Sequence, residues 1–180
     1  MNKVITCLGF FLLALTACND NTTKNGTAIT TEPSANASSG LNYNTSDLKN
    51  VALAINATAK PELQQAIDSI QDMDLKYWAI AATIKTDNGL IEAIQKIKNK
   101  DVKSIAFAMS GNDSAQGQQM IQTMQDADLK NVALASTCKN NTGQQDAIGK
   151  IENAKLKNFA SAITAATAEE RNKYVNAIGN

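Results

Sequence analysis

The sequence predicts an α/β fold, a solenoid of short strand–helix units, and three observations lead there. Written in rows of 27 from Asp47, the chain realigns without a gap at Asp74, Asp101, Asp128 and Lys155, giving five units, 47–73, 74–100, 101–127, 128–154 and 155–180. The first half of each row alternates large and small apolar residues, the period of a strand. The second half spaces them at i, i+3, i+4 and i+7, the period of a helix.

In the first half, position 2 holds Leu48, Leu75, Val102, Leu129 and Leu156, and position 5 holds Val51, Trp78, Ile105, Val132 and Phe159. Position 7 holds Leu53, Ile80, Phe107, Leu134 and Ser161, so these three positions read as core. Between them stand Ala52, Ala79, Ala106, Ala133 and Ala160 at position 6, and Ala54, Ala81, Ala108, Ala135 and Ala162 at position 8. A strand turns the large residues to the core and leaves a shallow, alanine-lined outer face. A helix is the rival. Ala has the best helix propensity and the leading Asp would serve as an N-cap, but position 7 then points away from the stripe formed by positions 2, 5, 6 and 9. That version needs a second buried side, which stacked helices supply.

The second half is a helix in both versions. Leu63, Ala66, Ile67 and Ile70, then Leu90, Ala93, Ile94 and Ile97, form one narrow apolar stripe, and the flanking Gln64, Gln65, Gln118 and Gln122 face water. Pro61 suits a first helical turn, and Thr142 with Gln145 and Thr167 with Glu170 resemble capping boxes. In the last unit Ser161 and the bulky Tyr174 break their columns, the pattern of a terminal repeat that closes the core.

Leu48-x-x-Val51-x-Leu53-x-x-Asn56 and its counterparts ending at Thr83, Ser110, Thr137 and Thr164 resemble the leucine-rich repeat, in its long ribonuclease-inhibitor-like class. The resemblance spans residues 47–180, implies a strand–helix horseshoe, and implies a buried polar ladder at those five residues. It departs two residues later, where the family has Leu and this chain has Thr58, Lys85, Asn112, Lys139 and Ala166. The alternative is an all-α solenoid of helical hairpins resembling HEAT repeats.

Ahead of the repeats, Met1-Asn2-Lys3 leads into an apolar run from Val4 to Leu15, too short to cross a bilayer core of about 30 Å. It ends in Leu15-Thr16-Ala17-Cys18, which resembles the lipobox of a bacterial lipoprotein signal. The resemblance implies a signal peptide over 1–17, lipidation of Cys18, and a membrane partner through that lipid anchor. Asn19 follows Cys18 directly and Asp20 stands one place later. In the family that order points to the outer membrane, facing the periplasm or the cell surface, and leaves the inner membrane as the alternative. Residues 18–46 are rich in Asn, Thr, Ser, Ala and Gly and poor in large apolar side chains, the composition of a disordered tether. Its root-mean-square span is about 30 Å.

The 17 basic and 17 acidic residues cancel and no Lys/Arg run stands out, so neither nucleic acid nor an anionic membrane has an electrostatic footprint in the linear sequence. The absence of His removes imidazole bases, and no nucleophile with a base, metal-ligand spacing or phosphate loop appears, so the expectation is no enzyme, no cofactor and no metal. Glu169-Glu170 falls at a helix start, where acids favour the dipole, and Cys138 shares a position with Ala57, Ile84, Gly111 and Ala165, which reads as a small packed thiol. Two binding candidates remain. Lys49, Lys76, Lys103, Lys130 and Lys157 form a basic column, and Tyr77 is an aromatic in a column otherwise of Asn and Ser. The functional expectation is a cell-envelope lipoprotein whose repeats bind another envelope protein, a ligand or a second copy. The alternative is a spacer lipoprotein with no specific ligand.

Overall fold

The computed structural model describes residues 44–84, 86–111 and 114–179. The expected signal peptide, Cys18 and the tether up to residue 43 lie outside them. Asn44, Thr45 and Ser46, assigned to the tether by composition, instead open the first helix.

Each of the five units is a helical hairpin, and the described residues contain no strand. In chain order the pairs are α1 (Thr45–Asn56) with α2 (Lys60–Asp68), α3 (Met73–Thr83) with α4 (Asp87–Lys96), and α5 (Lys100–Ser110) with α6 (Ser114–Gln122). They continue with α7 (Ala127–Thr137) and α8 (Asn141–Gly149), then α9 (Ala154–Thr164) and α10 (Ala168–Ala177). The α/β horseshoe is therefore overturned in favour of helical hairpins.

Caps explain where the odd-numbered helices begin. Asp72 and Asp126 accept from the amides of Leu75 and Leu129, both at 2.9 Å, while Asn99 accepts from Asp101 and Val102 and Asn153 from Lys155 and Leu156. The caps thus sit two residues before the position expected of them, which frees the Asp at position 1 for another partner. Among the even-numbered helices, α10 starts at the Thr167–Glu170 box as expected, the Glu170 amide lying 3.1 Å from Thr167 Oγ1. Helix α8 does not use Thr142 and Gln145; Asn140 caps it by accepting from the Gly143 amide.

Packing closes the solenoid on itself. Helix α1 packs on α3, α3 on α5, α5 on α7, α7 on α9, and α9 returns to α1, with α10 reaching α1 as well. Each even-numbered helix lies against its own odd-numbered partner and the next one, forming an outer layer. Position 5 fills the ring axis: Val51, Trp78, Ile105, Val132 and Phe159 are all 0% exposed. The Trp78 and Phe159 rings, from the second and fifth units, meet edge to face with centroids 5.2 Å apart. The last unit is accordingly a segment of a ring with a neighbour on each side, and not the terminal cap expected of it.

The helical geometry also explains the alanines. Positions 6 and 8 are about 200° apart on a helix, so they line two different helix–helix contacts and bring the backbones close on both sides. Ala52, Ala79, Ala106, Ala133 and Ala160 are fully buried, and Ala108 sits so near α6 that a Cβ at Gly117 would lie 3.2 Å from its Cα. The exposed alanine face of the strand version does not exist. Position 7, read as core, turns about 200° from the axis residue and out of the ring wall. Leu53 is 44% exposed there, and Ile80, Phe107 and Leu134 are half-buried. The expected polar ladder becomes local capping: Thr83, Thr137 and Thr164 each donate a hydroxyl at 2.8 Å to the carbonyl four residues back.

Candidate functional site

Both charged columns meet at one end of the ring, where the odd-numbered helices begin and the even-numbered ones finish. The Asp at position 1 reaches 24 and 25 residues ahead to two backbone amides of the loop entering the next unit. Asp47 accepts from Gln71 and Asp72 at 2.9 and 3.0 Å, and Asp74 from Lys98 and Asn99 at 2.7 and 3.0 Å. Asp101 accepts from Gln125 and Asp126 at 3.2 and 2.7 Å, and Asp128 from Glu152 and Asn153 at 2.8 and 2.9 Å. Each carboxylate also stands in the first turn of a helix, where the dipole favours it. The column is an internal clamp, repeated four times.

The lysine column uses the opposite poles. Lys130 Nζ donates to the Gln122 carbonyl and Lys157 Nζ to the Gly149 carbonyl, both at 3.3 Å, so each ammonium caps the C-terminus of the preceding outer helix. Lys49 holds the matching place beside the end of α10, its Nζ 2.9 Å from where a Cβ on Gly179 would stand. All five lysines, including Lys76 and Lys103, are half-buried. The basic column named as a binding candidate therefore spends part of its hydrogen bonding inside the ring.

Tyr77 is half-buried on α3 and lines an open cleft with Asp72, Met73, Asp74, Lys96 and Lys98. Lys96 Nζ lies 5.4 Å from the Tyr77 ring centroid and pairs with Glu92 at 2.7 Å, four residues earlier on α4. The hydrogen bond from Lys96 holds the Glu92 carboxyl below its ordinary range, and the same bond raises the Lys96 ammonium. The pair thus contributes above the ordinary carboxylate pKa and is lost as pH falls through the lowered one; fully exposed, it contributes little. Met73 is 54% exposed at the cleft edge. Asp72 and Asp74 both carry backbone amides, so the cleft's carboxylates are occupied by structure. What remains to the cleft is an exposed thioether, a half-buried aromatic ring and two exposed lysines, Lys96 and Lys98.

No family model matches the chain, and no curated protein or solved structure matches it. The functional reading therefore rests on the chain's own residues.

The other candidates are dispersed. Cys138 is half-buried at the end of α7, and Glu169 and Glu170 are exposed in the first turn of α10. Among the described residues no group of three or more His, Cys, Asp and Glu gathers into a metal site, and no helix is long and apolar enough to cross a membrane. Met73 and Lys96 escaped the sequence reading because neither occupies an unusual column. Only the hairpin fold brings the end of α4 back beside the start of α3.

Proposed function

We propose that this chain is a lipid-anchored lipoprotein of the bacterial cell envelope whose ring of hairpins is a protein-binding module, with its contact surface at the Met73–Tyr77–Lys96 cleft. The observation that carries the anchoring is Leu15-Thr16-Ala17-Cys18 at the end of a short apolar run. Lipidation of Cys18 holds the body at the outer membrane. The contact surface is supported by an exposed thioether, Met73, beside the aromatic Tyr77, two side-chain types enriched where proteins meet. Changing Cys18→Ser is expected to abolish incorporation of a palmitate analogue and move the protein from the membrane to the soluble fraction. Undiminished labelling would remove the anchoring half of the proposal.

A spacer lipoprotein is the second reading, favoured by one observation: the Asp column and part of the Lys column are engaged within the ring. A photoreactive residue at Met73 separates the two. The binding module is expected to give one defined adduct with an envelope protein, weakened several-fold by Tyr77→Ala, while a spacer gives none above an equivalent probe at Gln119.

A further inference from the structure

We propose that the ring opens at one place, the seam between α1 and the α9–α10 hairpin, while its other four junctions stay closed. Those four junctions are continuous in the chain, and at each one an Asp at position 1 ties down the loop that enters the next unit. The fifth junction has neither. The units it joins are the first and last, and position 1 of the fifth unit is Lys155, whose side chain has no acceptor oxygen.

What holds the seam is different in kind. Helix α1 packs on α9 and α10, and Asn56 Nδ2, which bonds its own Ala52 carbonyl at 2.8 Å, also reaches the Ala162 carbonyl across the seam at 3.4 Å. Asn56 is the member of its column that is not Ser or Thr, and its longer side chain is what allows the second bond. The hydroxyls of Thr83, Ser110, Thr137 and Thr164 bond carbonyls of their own helices. Among the described residues Lys49 and Thr45 also approach Gly179. Among the described residues this junction has the helix packing of the others and one long hydrogen bond, but neither the chain link nor the Asp clamp, and local opening follows the junctions with the fewest ties. Opening there uncovers the alanine contact of α1 and leaves the second, third and fourth units clamped.

Amide hydrogen exchange on the mature full chain tests this. The amides of α1 and of α9 are expected to exchange together and at least about tenfold faster than those of α5. Asn56→Thr, which keeps the column's local cap and removes the reach across the seam, is expected to speed α1 and α9 further and leave α5 unchanged. A disulfide between Thr45→Cys and Gly179→Cys is expected to slow both helices to the rate of α5. A Cβ at Gly179 would lie 2.9 Å from Thr45 Cγ2, an atom one bond beyond Cβ as a cysteine sulfur is, so the two positions are close enough to bridge. Equal exchange in α1, α5 and α9, or an α1 rate indifferent to the crosslink, would overturn the proposal.

Discussion

Replacing Trp78 with alanine is expected to lower the stability of the ring by about 3–5 kcal/mol, the range for emptying a large aromatic site in a core. Trp78 is 0% exposed and fills the axis, and its edge-to-face contact with Phe159 links units that are not neighbours in the chain. Losing it removes both volume and a cross-ring contact, the latter worth about 0.5–1.5 kcal/mol beyond area. Against a total of about 5–15 kcal/mol for a domain, the variant stands near the edge of folding. Trp78→Phe is expected to cost clearly less. The Nε1 of Trp78 is buried without a hydrogen-bond partner, so the smaller ring also removes an unsatisfied donor, worth about 1–3 kcal/mol. Denaturant midpoints of the two variants decide this; equal losses would mean that the axial volume is not what the tryptophan supplies.

Asp101→Ala is the second large effect. Asp101 is 7% exposed, and its two oxygens accept from the amides of Gln125 and Asp126. Deleting the carboxylate strands both donors at the entrance to α7, and at about 1–3 kcal/mol for each the expected loss is about 2–6 kcal/mol. Asp101→Asn keeps one acceptor oxygen and is expected to lose about half of that. Lys155→Ala, at the same position of the last unit and exposed, is expected to stay within about 0.5 kcal/mol of the parent. Thermal unfolding of the three proteins would reveal a merely solvating column by equal, small shifts.

The outer helices were legible because an apolar stripe such as Leu63, Ala66, Ile67 and Ile70 has only one regular explanation. The inner helices were misread because Val51-Ala52-Leu53-Ala54 fits period 2 as well as a helix with two alanine contacts. Leu53 settles the matter in the fold, where it projects out of the ring wall at 44% exposure. Short apolar runs carry both readings, and tertiary packing chooses between them. The Asp column read as N-caps because its partners lie 24 and 25 residues away and are backbone amides, which no side-chain pattern marks. Of the candidate surface, Tyr77 was legible as an exception in its column, whereas Met73 and Lys96 were not. Closure left two traces, Lys155 in place of Asp and Asn56 in place of Ser or Thr. Both read as ordinary repeat drift until the ends of the chain are seen side by side.

The filled axis has a consequence for how such a gene can change. Tandem units in one 27-residue register invite unequal recombination, which adds or removes whole copies, and an open array tolerates this because each repeat touches only its neighbours. In this ring Val51, Trp78, Ile105, Val132 and Phe159 share one enclosed space. A four-copy product would crowd it and a six-copy product would leave a void, each penalised like any misfilled core. Copy number is thereby held by volume, and new forms of this protein are expected to arise through substitutions on its outer helices and loops, with the count of units unchanged.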